Sequence, residues 1–248
     1  KGGKEEMKVT SRELFGFSFY DGDLPELLEV LENKIEKKEK VQVITANPEI
    51  LARGFEEEEL NKALKEAEIV VADGIGVIVA SRFLGKAISH RLPGIEIGEA
   101  LMKKGEEQGW RFYFLGGKEE VTYKAVKGLK TRYPQLRVGG FHHGYFRDDE
   151  EVIEDINRAN PHILFVGLGA PRQEYWIRRN RERINAVVMM GVGGSFDVWS
   201  GTKKRAPQWV RKLNLEWAYR VICEPQRLQR VIPAFFNFIK IVWKNKRN

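Results

Sequence analysis

Asp73 is the side chain of this chain best placed to do chemistry. It closes the apolar run 67–72 and is followed at once by Gly74-Ile75-Gly76 and a long apolar stretch. That order reads as a buried strand, a carboxylate at its C-terminal end, and a glycine turn into a helix. In open α/β sheets ligands bind outside the carboxyl ends of the strands, where a carboxylate can take a proton from a bound hydroxyl. The same position suits an Asp that merely caps the next helix, so position alone leaves both roles open.

Other groups invite a ligand less directly. The run Gly169-Ala170-Pro171-Arg172-Gln173-Glu174-Tyr175-Trp176 sets Arg, Gln, Glu and two aromatic residues in the first turn of a helix at a strand's end. Arg can meet phosphate and Gln can read a base or a sugar, although a capped helix start accounts for the same residues. Arg91, within Ser89-His90-Arg91-Leu92-Pro93-Gly94, occupies the loop after the Asp73 helix. Asp197, after Gly193-Gly194-Ser195-Phe196, can accept hydrogen bonds from a ribose or base, or cap its loop. Several strand ends open into glycine turns before helices, Gly191-Val192-Gly193 among them, and such turns bring backbone N–H groups close to a phosphate.

None of these turns carries the dinucleotide fingerprint. The third glycine position holds Val79 after Gly74-Ile75-Gly76 and Arg172 after Gly167-Leu168-Gly169. A P-loop lysine motif is also missing, so a dehydrogenase and a P-loop NTPase both lose ground. Asp21-Gly22-Asp23 has the spacing that holds a divalent ion on a diphosphate, but it precedes Pro25 and a helix and reads as a turn and cap. His142-His143 has no third ligand at zinc spacing and reads as a surface loop. The acids at 148–151 start a helix, where negative charge is stabilising.

The elements that must hold these groups follow from the apolar pattern. Runs at 41–45, 69–72, 111–115, 136–138, 162–166 and 186–190 have strand length, and helical stretches separate them. Asn47-Pro48-Glu49 is a cap with Pro at the first helical position, and a helix runs from the Gly116-Gly117 turn to about Arg132. The fold class expected is α/β: a Rossmann-like open, mostly parallel sheet flanked by helices, joined by right-handed crossovers. With 248 residues the chain can bury one large core. Its single cysteine, Cys223, excludes an intramolecular disulfide and reads as a core residue. The charged start at 1–6 has no apolar core of a signal peptide and reads as an addition ahead of Met7.

The net charge of +7 conceals a polarity. Residues 203–248 hold 12 Lys/Arg against 2 Asp/Glu, so the preceding 202 residues are mildly acidic. This is not the signature of a general nucleic-acid binder; the tail is what seeks anions. The expected division is an α/β catalytic domain at 1–202 and a basic, aromatic, helical appendage at 203–248. The most apolar stretch of the tail, 231–243, is too short to span a bilayer. It sets Phe235, Phe238, Ile239 and Val242 on one helical face and Asn237, Lys240 and Lys244 on another. That suits a helix lying in a membrane interface, with Arg220, Arg227 and Arg230 adding attraction to anionic lipid. Docking on the body or on a second subunit in a homo-oligomer uses the same face.

Taken in order, Thr45-Ala46-Asn47-Pro48, Ala72-Asp73-Gly74-Ile75-Gly76, Arg91-Leu92-Pro93-Gly94, Phe114-Leu115-Gly116-Gly117, Gly167 to Glu174 and Gly191 to Asp197 resemble the WecG/TagA/CpsF glycosyltransferase family. The tail is similar to the extension of its teichoic-acid members. The resemblance implies an inverting transferase, without metal or resident cofactor, that moves N-acetylmannosamine from UDP-N-acetylmannosamine to undecaprenyl-diphosphate-linked N-acetylglucosamine. Such an enzyme would be peripheral, at the cytoplasmic face of the bacterial plasma membrane. It implies Asp73 as general base and Thr45, Asn47, Arg91 and Gln173 around the sugars and phosphates. Arg220, Arg227 and Arg230 would reach the lipid-linked diphosphate. Gly191, Gly193 and Asp197 complete the expected substrate-binding set. Rival expectations are transfer of N-acetylmannosaminuronic acid, a metal-dependent transferase, or a nucleotide-sugar-binding membrane scaffold without activity.

Overall fold

A computed structural model describes residues 10–247 of the protein; the charged start at 1–6 lies outside the described residues. The chain begins with a hairpin, β1 (Ser11–Leu14) and β2 (Phe17–Tyr20), followed by α1 (Leu24–Lys37), β3 (Val41–Ala46), α2 (Pro48–Glu56), α3 (Glu58–Glu66) and β4 (Ile69–Ala72). Next come α4 (Ile75–Phe83), α5 (Gly94–Gln108), β5 (Arg111–Gly116), α6 (Glu119–Arg132), β6 (Arg137–His142) and α7 (Asp149–Ala159). The body closes with β7 (Ile163–Gly167), α8 (Arg172–Asn180), β8 (Val188–Gly191) and α9 (Ser195–Trp199). The tail forms α10 (Gln208–Lys212), α11 (Glu216–Cys223), a 3-10 turn at Pro225–Arg227 and α12 (Leu228–Arg247).

Six strands form one sheet in the order β4-β3-β8-β7-β5-β6, every neighbouring pair parallel. The apolar runs that predicted these strands are continuous rather than alternating because the sheet is covered on both faces. On one face Val41, Val43, Phe112, Phe114, Phe165 and Met190 pack against helices α1, α5, α6 and α9. On the other, Ile44 and Val70 meet the hairpin, α2, α3, α4 and Phe238 of α12. Tyr113, Leu164 and Met189 meet α7 and α8. All six strands point their carboxyl ends to one edge, where the glycine turns gather.

The sheet is the α/β architecture expected, and Asp23 makes the anticipated cap. Its carboxylate accepts from the Glu26 N–H at 2.9 Å while Glu26 reaches back to the Asp23 N–H, a reciprocal capping box. Asp21 is buried, bonded to Arg12 at 2.8 Å and to the Ser89 N–H at 2.6 Å, so it ties the hairpin to the loop bearing Arg91.

Three expectations need correction. The short strand at 136–138 extends as Arg137–His142, an edge strand with a bulge opposite Phe112 and Tyr113. Cys223 is exposed on α11 and no part of the core. The apolar face of α12 is also divided differently. Phe238 is 3% exposed, 5.6 Å from the Phe15 ring, with Ile241 and Val242 packed beside it. Asn237, expected on the polar face, donates to Glu56 of α2 at 2.7 Å. The hairpin supplies the apolar partner that selects this face, leaving Ile232, Phe235, Phe236 and Trp243 exposed. Among the described residues no helix is long and apolar enough to cross a membrane.

Candidate active site

The register of β3 and β4 sets Ala46 opposite Ala72, so Asn47 and Asp73 emerge side by side at the edge. The Asp73 N–H donates to the Ala46 carbonyl at 3.0 Å, and the Leu92 N–H to the Ala72 carbonyl at 2.8 Å. These bonds prolong the sheet by one residue and fix the backbone on both sides of the carboxylate. Asn47 caps α2, its side chain accepting from the Ile50 N–H at 2.9 Å. The glycines after Asp73 answer to close approach: a Cβ at Gly74 would fall 2.9 Å from Pro48 Cδ, and one at Gly76 2.7 Å from Pro48 Cγ. Two helix starts are thereby pressed together beside the carboxylate.

The Asp73 carboxyl accepts from the Gly94 N–H at the start of α5. Burial raises its pKa from 3.8 to about 6; Arg220 and Arg91 pull it down, and Glu216 pushes it up. It is thus a carboxyl that is hard to ionise in a setting that is net cationic. Arg91 lies over the Asp73 carbonyl with a long 3.5 Å contact. Thr45 faces the first turn of α5, where a Cβ on Gly94 would lie 3.1 Å from its Cγ2.

At the end of β8 the geometry is tighter. Gln173 is buried, its Oε1 accepting from the Gly193 N–H at 3.0 Å and its Nε2 donating to Glu174 Oε1 at 2.8 Å. A Cβ on Gly191 would strike Gln173 Nε2 at 2.5 Å, so the strand end must be glycine for this amide to lie across it. Both ends of the Gln173 amide are therefore engaged inside the protein. Asp197, in the first turn of α9, pairs with Lys203 at 3.1 Å.

The tail folds back over this edge. Glu216 of α11 is buried and holds Arg220 at 2.8 Å, and both are within electrostatic reach of Asp73. Arg227 is depressed by burial first and then by Arg220 and Arg230, so the three arginines crowd one another. Such a group of like charges is stabilised by a polyanion. Arg230 is meanwhile held by Glu49 of α2 at 2.8 Å, and Arg227 leans on Glu224 at 3.9 Å. Lys203, which the sequence marked only as a break in composition, bridges Asp197 and Glu224 at 3.1 and 3.2 Å. Glu174 and Glu216 escaped sequence reading as well: a buried carboxylate on a helix looks like any other charge in the chain. Among the described residues no group of three His, Cys, Asp or Glu side chains is arranged to hold a metal ion.

An open parallel sheet that gathers the Asp73 carboxyl and several arginines at its carboxyl edge has the architecture of an α/β enzyme. The Glycosyl transferase WecG/TagA/CpsF family matches over residues 12–248, and the chain belongs to that family. It is 40% identical over 196 residues, 78% of this chain and 77% of the relative, to the N-acetylglucosaminyldiphosphoundecaprenol N-acetyl-beta-D-mannosaminyltransferase of Staphylococcus aureus (strain NCTC 8325 / PS 47). A protein of the same name from Bacillus spizizenii is 32% identical over 230 residues, 92% of this chain and 89% of the relative.

Proposed function

We propose that this chain transfers N-acetylmannosamine from UDP-N-acetylmannosamine to the 4-hydroxyl of N-acetylglucosamine in undecaprenyl-diphosphate-N-acetylglucosamine, with inversion and without a metal ion. The names of its relatives support the sugar and the acceptor. The observation that carries the mechanism is the Asp73 carboxyl, lifted to about 6 at a strand end and flanked by Arg91 and Arg220.

Inversion needs one base to take the acceptor hydroxyl's proton while that oxygen attacks the anomeric carbon opposite the leaving UDP. A carboxylate with a pKa near the working pH contributes ~10²–10⁴ in rate at that step. Asp73 is the base in this reading, with Thr45 and Asn47 lining the sugars and Gln173 shaping the turn beside them. UDP gains negative charge as it departs. Arg91 stabilises that charge where it develops. Arg220, Arg227 and Arg230 hold the lipid-linked diphosphate, and Asp197 receives the nucleoside. The exposed aromatic residues of α11 and α12, with the tail's net positive charge, bring the body to an anionic bilayer surface at the cytoplasmic face.

The test is a UDP-release assay with lipid-diphosphate-N-acetylglucosamine as acceptor, comparing UDP-N-acetylmannosamine, UDP-N-acetylglucosamine and UDP-N-acetylmannosaminuronic acid, each with and without chelator. Release with the first donor alone, unaffected by chelator, is the expected result. Preference for the uronic acid, or loss with chelator, overturns the donor or the metal-free reading respectively.

A further inference from the structure

Glu174 follows Gln173 in α8 and is only 2% exposed, yet its Oε2 has no hydrogen-bond partner. Its Oε1 accepts from Gln173 Nε2. Gln42 of β3, 1% exposed, donates from Nε2 to the Glu174 carbonyl at 3.2 Å, and Gln42 Oε1 is likewise buried without a partner. Each of these two buried side chains thus carries an orphaned acceptor, and the Gln42 amide meets Glu174 at its backbone carbonyl. Orphaned buried acceptors are costly, and an ionised carboxylate without a close cation is costlier still. A single proton on Glu174 Oε2 removes the buried charge, while Oε1 still accepts from Gln173 Nε2. Burial raises the pKa of Glu174 from 4.5 to about 7, with Arg53 the charge that opposes the shift.

We infer that Glu174 is a positioning residue that works as a neutral carboxylic acid, locking Gln173 and through it the Gly193 N–H at the edge of the site. The order of contacts is Gln42 on the sheet, Glu174, the Gln173 amide, then the Gly193 N–H at 3.0 Å. Orientation of Gln173 follows from this chain. Its oxygen must face Gly193, because Gly193 N–H can only donate, so its nitrogen must face Glu174 Oε1, which accepts in either protonation state. Without that acceptor the amide is free to turn, and the Gly193 N–H that donates to it loses the bond that fixes the turn at the end of β8. The consequence for rate rests on the transferase reading above; the hydrogen-bond chain itself does not.

Glu174→Gln and Glu174→Leu separate the possibilities. The Gln variant is neutral and keeps an oxygen for Gln173, so it should retain near wild-type kcat and the exchange protection of the Gly193 amide. The Leu variant should expose that amide to exchange and lower kcat on the order of 10²-fold, as misplacement near a reacting centre does, with a smaller change in KM. If Glu174→Gln is as impaired as Glu174→Leu, the neutral acid is wrong. If Glu174→Leu keeps Gly193 protected, the positioning role is wrong. Should Glu174→Leu not fold, the infrared difference between wild type and Glu174→Gln at mildly acidic pH decides: a protonated carboxylic C=O band supports the proposal and its absence overturns it. Absence of transfer by wild type would refute the transferase reading, while the Gly193 exchange and infrared readouts would still judge the hydrogen-bond chain.

Discussion

The edge of the sheet and the tail folded over it hold their functional groups in opposite ways. Asp73 is fixed by its own N–H on the Ala46 carbonyl, by the Leu92 N–H on the adjacent Ala72 carbonyl, by the Gly94 N–H, and by helix starts too close to admit a Cβ. Arg220, Arg227 and Arg230 rest on partly exposed ion pairs to Glu216, Glu224 and Glu49, and α12 is anchored chiefly by one buried ring, Phe238. Surface ion pairs contribute only about 0–1 kcal/mol each. Asp73 is therefore held by the backbone of the sheet edge, whereas the three arginines are held weakly enough to rearrange.

The contrast breaks most visibly at Asp73. Asp73→Asn should lower transfer by ~10²–10⁴ with UDP affinity nearly unchanged, measured by UDP release and calorimetry; near-normal turnover removes Asp73 as base. The same variant should be more stable than wild type at alkaline pH. Folded Asp73 binds its proton up to about 6, against 3.8 for the ordinary carboxyl. Its stabilising protonation is complete below the lower value and lost as pH rises through the higher one. Asn escapes that loss, a gain of about 1–3 kcal/mol readable as a higher Tm above about pH 7.

Next in size is the pH profile. kcat/KM should fall about tenfold per pH unit below the Asp73 limb near 6. Arg220→Ala should lower activity and move that limb upward, since Arg220 pulls the Asp73 pKa down. A limb unmoved by Arg220→Ala would uncouple tail from edge. Phe238→Ala should cost about 3 kcal/mol or less, the low end for a buried Phe, and loosen α12 by hydrogen exchange before the sheet; simultaneous loosening of both would erase the distinction drawn here. The smallest effect belongs to Glu49→Gln, which frees Arg230: stability should change by less than about 0.5 kcal/mol, while acceptor KM shifts and the shift fades with salt.

Most of the sheet was legible because strands covered on both faces are written as largely apolar runs, several of them ended by glycine. The hairpin was not. Its turn at Phe15 and Gly16 places a Phe at φ 57, without the Asn-Gly or Asp-Gly that signals such turns. The edge strand β6 was read short because Gly139-Gly140 interrupts its apolar residues. At the site, Asp73 and Asn47 were readable because each follows a strand end, and Arg91 because it lies in the loop after the Asp73 helix. What escaped were Glu174, Glu216 and Lys203, whose environments are made by residues far along the chain. Gln173 was visible as a candidate, but that its amide is held by Gly193 and Glu174 could not be read from its neighbours in sequence.

One helix gives the molecule a design opportunity. The first turn of α5 supplies the Gly94 N–H to Asp73, and Glu96 and Glu99, in its first turn and the next, clamp Arg205 at 2.6 and 3.4 Å. Asp73 and the root of the tail are thus riveted to a single short stretch of α5. Arg211 strengthens the rivet with a 3.8 Å pair to Glu96, so exchange of the tail for that of a relative should begin beyond Arg211 and keep Phe238. Acceptor preference would then evolve, or be engineered, as an interchangeable module bolted to a fixed catalytic frame.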